Sequence, residues 1–179
     1  MRALALALLL PLAACGGNDA PDTAGTASTA GTAAEPGASA GTTDASGATA
    51  EVVDGAVTLT PVGEQMLYAQ TAFTATAGSQ LRVVFQNTAT GAAMRHNVVI
   101  LQPGTDLNAF GIAAASAADT DYIPADMQAQ VVAHTPMSNP GETVEVAFTV
   151  PTTPGEYPFL CTFPGHYATM RGVMTVVAA

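Results

Sequence analysis

Ten consecutive residues, Cys161-Thr162-Phe163-Pro164-Gly165-His166-Tyr167-Ala168-Thr169-Met170, carry a thiol, an imidazole and a thioether. Sulfur ligands combined with imidazole select copper, and copper sites that pass electrons take two imidazoles, one thiolate and a weak, distant thioether. The stretch is therefore one imidazole short of a complete set. Only His96 and His134 remain elsewhere in the chain, so one of them must supply the missing ring.

A second ligand 65 residues upstream needs a scaffold that brings distant segments together, and the texture of the chain from Val52 onward provides one. Leu81, Val83 and Phe85 alternate with Arg82 and Gln86, and Val144, Val146, Phe148 and Val150 alternate with Thr143, Glu145 and Thr149. Tyr157, Phe159 and Cys161 do the same against Pro158, Leu160 and Thr162. A period of two marks half-buried strands. Ala77-Gly78, Pro103-Gly104, Pro140-Gly141 and Pro154-Gly155 break the runs, as turn residues do. The Ala-rich stretch from Asp106 to Ala118 lacks alternation and predicts one short helix, with Thr105 as its N-cap. The expected fold is all-β: a two-sheet antiparallel Greek-key sandwich with one helical excursion. His96 then stands at the mouth of a strand that continues through Val98 and Ile100.

His96-Asn97 before an apolar strand, followed by Cys161-x4-His166-x3-Met170, resembles the cupredoxin family, in particular its azurin-like and auracyanin-like blue-copper members. The resemblance extends through Asp121-Tyr122-Ile123-Pro124-Ala125-Asp126 and Val132-Ala133-His134-Thr135, and covers most of residues 55–179. It implies one copper ion held by His96, Cys161, His166 and, as a long axial ligand, Met170. It implies that Asn97 braces the Cys161 loop and that Phe163 and Pro164 shield and stiffen it. Azurin-like members often have glycine where Arg95 stands, with a backbone oxygen near the metal, so Arg95 marks an extra carbonyl contact as a question. His134 is placed off the metal. Met66, Met94, Met127, Met137 and Met174 read as core or surface residues rather than ligands.

A closed set of two imidazoles, a thiolate and a distant thioether leaves no open position for substrate, which excludes metal-activated water chemistry. One-electron exchange remains, so the chain reads as no enzyme and as having no small-molecule substrate. The histidine count also excludes enzymes with a second, imidazole-rich copper centre, because only His134 is left over. The alternative is a copper carrier or store; the Met-rich or His-rich surface runs that would favour it are absent. The formal net charge of −10 argues against nucleic acid. The apolar loop residues Phe163, Pro164, Tyr167 and Ala168 suggest that redox proteins dock around His166. Nine carboxylates against three arginines from Val52 to Ala179 would steer cationic partners.

Residues 1–14 have the layout of an export signal: Arg2, an apolar run from Ala3 to Leu12, then small residues. Leu12-Ala13-Ala14-Cys15 resembles a bacterial lipobox, which implies an exported protein held to the cell membrane or outer membrane by lipid on Cys15, facing the periplasm or exterior. A disulfide between Cys15 and Cys161 is not expected, since it would consume the thiolate. Residues 15–51 are the lipid-anchored Cys followed by Ala, Gly, Thr and Ser with almost nothing to bury. They predict a disordered tether that would hold the 52–179 domain about 30–35 Å from its anchor.

Overall fold

In the computed structural model, which describes residues 47–179, the alternating runs become strands whose buried positions match their apolar residues. The strands are β1 (Ala48–Ala50), β2 (Ala56–Leu59), β3 (Gln70–Thr76), β4 (Gln80–Gln86), β5 (Val99–Leu101), β6 (Val131–His134), β7 (Thr143–Thr149), β8 (Gly155–Leu160) and β9 (Arg171–Val177). One sheet has the order β1-β3-β9-β8-β5-β6 and the other β2-β4-β7. Leu81, Val83 and Phe85 of β4 are buried while Gln80, Arg82 and Gln86 are exposed. They lie opposite Phe148, Val146 and Val144 of antiparallel β7. Their apolar faces meet Phe73, Ile100, Phe159 and Met174 of the larger sheet in a single core.

The two-sheet sandwich stands, but the strands are not all antiparallel. β1 with β3, β2 with β4, and β3 with β9 run parallel. The chain crosses between sheets from β2 to β3 and back from β3 to β4. The parallel neighbours are then not sequential and need no hairpin. Alternation reports which face is buried and is silent on the direction of the neighbour.

The strand at Ala48–Ala50 lies inside the segment that composition assigned to the tether. It needs no large apolar side chain there, because β1 is an edge held by hydrogen bonds to its backbone: Ala48 N donates to Ala69 O at 2.9 Å, and Thr71 Oγ1 donates to Gly47 O at 3.2 Å. The leader, Cys15 and the rest of the tether lie outside the described residues. Among the described residues no helix is long and apolar enough to cross a membrane.

Helix α1 (Leu107–Ala114) is shorter than the Ala-rich stretch and is capped by Asp106 rather than Thr105. Asp106 Oδ1 accepts from Asn108 N at 2.9 Å and Ala109 N at 3.1 Å, whereas Thr105 Oγ1 donates backwards to Gln102 O. A carboxylate is a stronger acceptor for the free N–H groups of a first turn than a hydroxyl. Beyond α1 the chain tightens into 3-10 turns at Ala118–Thr120 and Ala125–Gln130. Asp121 and Tyr122 between them are both left-handed, with φ of 55° and 60°. That conformation costs non-glycine residues roughly 1–3 kcal/mol each. Part of the compensation is visible: Asp121 Oδ2 accepts from Met137 N at 2.8 Å.

Candidate metal centre

His96 lies in the connection into β5, and its backbone is clamped. His96 N donates to Ser138 O at 3.2 Å, and His96 O accepts from Ser138 N at 2.8 Å and from Ser138 Oγ at 2.7 Å. Flanking groups are held too: Tyr68 Oη donates to Asn97 O at 2.6 Å, and Val98 N donates to Thr135 Oγ1 at 3.0 Å. The segment thus replaces ladder bonds with buried hydroxyls and still leaves its backbone satisfied.

Cys161 follows directly on β8, and its N–H donates to Met170 O at 3.1 Å, closing the loop on itself. Gly165, at φ 85°, takes a left-handed turn open to glycine at little cost. His166 opens the short 3-10 turn His166–Ala168; its N–H donates to Phe163 O at 3.0 Å and its carbonyl accepts from Met170 N at 2.9 Å.

These two segments bring three donors together. His96 Nδ1 and His166 Nδ1 stand 3.1 Å apart, and Cys161 Sγ is 3.8 Å from the first and 3.7 Å from the second. All three residues are buried. A point equidistant from the three atoms lies roughly 2 Å from each, close to the length of a metal–imidazole bond and slightly short of a metal–thiolate bond. The residues fit a single small ion of borderline softness. Met170 is fully buried and joined to Cys161 and His166 through its backbone.

Around the donors, Asn97 ties the two ligand segments together. Its Oδ1 accepts from Thr162 N at 2.9 Å and its Nδ2 donates to Thr162 Oγ1 at 2.8 Å, both residues being fully buried. The Phe163 ring stacks obliquely on His166 at 4.9 Å and edge-on to Tyr122 at 5.5 Å. The Arg95 guanidinium lies over the Phe163 ring, 5.8 Å from its centre. His96 packs edge-on against Phe85 at 6.0 Å, and its Nε2 finds no protein partner. His134 is on β6, outside the cluster, with Nδ1 3.1 Å from Thr135 O. Met174 is core, and Met66 is exposed.

Sequence reasoning missed Ser138, Tyr68, Thr135 and Tyr122. The first three act through a hydroxyl on a backbone group of another segment. Tyr122 and Thr135 carried a signal, each as a residue inside a motif already singled out.

Burial makes all three donors neutral in the metal-free protein. It pulls the His96 pKa down to about 4, helped by His166 and slightly opposed by Glu64, and it lowers His166 as well. It pushes the Cys161 thiol up to about 12, partly offset by backbone hydrogen bonds from Asn97 and Phe163. A cation at the centre reverses that balance for the sulfur, since a coordinating thiol is deprotonated outright.

The histidines give a pH dependence of definite sign. An unfolded histidine takes up its proton near 6.5, the folded His96 only near 4. Between those values the unfolded state binds more protons, so metal-free stability falls as pH drops from about 6.5 to about 4 and is unaffected by this group above. Glu64 and Glu142, held below 4.5 by hydrogen bonds from Thr90, Gly91 and Asn139, add their loss only at lower pH. Urea midpoints of the metal-free protein at about pH 8, 6 and 5 are expected to decline below the first; equal midpoints at all three contradict the buried neutral histidines.

The profile of copper-binding proteins of the plastocyanin/azurin family matches residues 56–177. Auracyanin-A of Chloroflexus aurantiacus is 36% identical over 118 residues, covering 64% of this chain and 69% of that protein. Outer membrane protein H.8 of Neisseria meningitidis is 42% identical over 87 residues, covering 48% of this chain and 46% of that protein, so less than half of H.8 is spanned. Among solved structures, auracyanin A, described as a "blue" copper protein, superposes with a TM-score of 0.61 at 34% identity, covering 68% of this chain and 98% of that one.

Proposed function

Because the chain belongs to the plastocyanin/azurin family of copper-binding proteins, we propose that it works as a membrane-tethered single-electron carrier whose partners meet it at His166. The carrier is a mononuclear blue-copper protein and not an enzyme. When bound, copper supplies one-electron exchange between Cu(I) and Cu(II). The observation that carries the reading is the buried triangle of His96 Nδ1, His166 Nδ1 and Cys161 Sγ, with Met170 fully buried in the same core cluster as Cys161.

The chain's own residues account for the rest. Cys161 would hold the ion as a thiolate, His96 and His166 would hold it through ring lone pairs, and Met170 would be the weak fourth donor. Asn97 holds the sulfur segment against the His96 segment, so the donors keep one arrangement in both oxidation states. Arg95 contributes through its side chain over Phe163. The buried donors exclude water and substrate alike.

His166 lies at the end of the site where Pro164, Gly165 and Ala168 are exposed. Its ring is the shortest route from the donors to that apolar surface, and redox proteins dock there. At the other end of the chain, residues 1–14 are an export signal, Cys15 carries lipid, and residues 15–51 are mostly tether to the 52–179 domain. The similarity to a protein named for the outer membrane supports that placement.

Electron self-exchange between two copies tests the docking surface without a separate partner. Ala168→Glu places like charges where two patches would meet and is expected to slow self-exchange at low salt about tenfold, with recovery at high salt. Line broadening in proton NMR of mixed oxidation states reads the rate. An unchanged rate removes the patch around His166 as the contact surface.

A further inference from the structure

Gly111 sits mid-helix in α1, in the stretch Leu107-Asn108-Ala109-Phe110-Gly111-Ile112-Ala113-Ala114, where alanine would be favoured by about 1 kcal/mol. The neighbouring alanines make the glycine conspicuous, and its surroundings explain it. The Tyr167 ring rests directly on the Gly111 backbone. A Cβ there would stand 2.1 Å from Tyr167 Cγ and 2.4 Å from Tyr167 Cδ2, inside any tolerable contact. Tyr167 is the residue after His166, in the same 3-10 turn.

A strap reinforces the seat. Arg171 Nε donates to the Tyr167 carbonyl, and Arg171 Nη2 donates to Asn108 Oδ1 at 2.6 Å, one turn before Gly111 on the same helix. Beneath them Tyr167 packs with Phe110 and Leu160, and Leu160 precedes Cys161. The internal bonds of the turn, from His166 N to Phe163 O and from Met170 N to His166 O, set its shape. They do not set how deep the turn sits against the sandwich, and Gly165 before it has no side chain to fix that depth.

We propose that Gly111 is a positioning residue for His166: its missing side chain forms the socket that seats Tyr167, and that seat sets how closely His166 Nδ1 approaches Cys161 Sγ. Helix α1 is then a wall of the metal centre, although it contributes no donor. The proposal rests on His166 being a ligand, and its test separates the two.

The test compares copper-loaded wild-type protein with Gly111→Ala, Tyr167→Ala and the double variant. The readouts are the visible spectrum, the Cu(II) electron paramagnetic resonance spectrum and copper affinity. Gly111→Ala is expected to shift both spectra and to weaken copper binding about 10–100-fold, the range for residues that orient ligands. Because Gly111 acts through the ring, adding Gly111→Ala to Tyr167→Ala is expected to change nothing further. Unchanged spectra and affinity in Gly111→Ala overturn the proposal, as does an equal effect with and without the ring. Should Gly111→Ala fail to fold, Arg171→Gln takes its place: removal of the strap is expected to move the spectra in the same sense as Tyr167→Ala, and unaltered spectra overturn the proposal. His166→Ala distinguishes the failures. A spectrum that survives it refutes the ligand role and the proposal together, whereas its loss beside an unaffected Gly111→Ala refutes the proposal alone.

Discussion

Replacing Cys161 with serine is expected to abolish the visible absorption of the copper-loaded protein while leaving the metal-free fold in place. The thiolate is the only soft anionic donor in the cluster, and the charge-transfer band belongs to the sulfur–copper bond. Structural zinc sites contribute about 10–16 kcal/mol, and on that scale the loss of one strong ligand removes roughly 3 kcal/mol or more and weakens binding at least on the order of a hundredfold. The metal-free consequence is small because the serine hydroxyl has partners waiting. Backbone N–H groups of Asn97 and Phe163 already reach the sulfur, and two imidazole nitrogens stand 3.7 and 3.8 Å from it. Absorption spectra and metal titrations check the first part, and thermal unfolding of the metal-free variant checks the second. A band that persists would mean that another donor colours the metal.

Asn97→Ala is expected to have the largest effect on stability. Asn97 makes two hydrogen bonds to Thr162, and both residues are fully buried. The substitution leaves the Thr162 N–H without its acceptor in a place water does not reach. One buried unsatisfied donor costs about 1–3 kcal/mol, and the cavity left by the side chain adds to it. A total near 3 kcal/mol corresponds to a melting temperature about 10 °C lower for a domain of this size. Calorimetry of the metal-free protein measures it. Asn97→Asp keeps the Oδ1 acceptor and is expected to recover part of the loss. A change below about 1 kcal/mol in the alanine variant would show that the two segments are joined by packing alone.

The readable and unreadable parts of this molecule differ for physical reasons. Alternation in β4 and β7 marked a buried face, because one side of a half-buried strand must be apolar, and the two-sheet class followed from it. The parallel pairing of β3 with β9 left no mark, since strand direction is set by where the chain crosses between sheets. Edge strand β1 was equally silent: Ala48, Thr49 and Ala50 are held by backbone groups, and their composition matches that of the tether before them. Asp106 displaced Thr105 as the cap because both are capping types one residue apart, and only geometry decides between them.

At the metal centre, softness and spacing led to copper, because a thiol and an imidazole five residues apart in a short loop are rarely idle. The supports around the cluster were less legible. Ser138 and Tyr68 act on backbone oxygens of the His96 segment through hydroxyls that approach from other parts of the chain. A lone serine or tyrosine carries no sign of such a role. Gly111 shows the same limit from the other side, since its function is the side chain it lacks.

A reductive titration of the copper-loaded protein, followed by its visible spectrum, tests the account most directly. The prediction is one copper per chain, an intense band in the oxidised form, and complete reversible bleaching by a single electron. An oxidised protein that is colourless with copper bound, or that consumes more than one electron per metal, would contradict a buried His96–Cys161–His166 centre built for electron transfer.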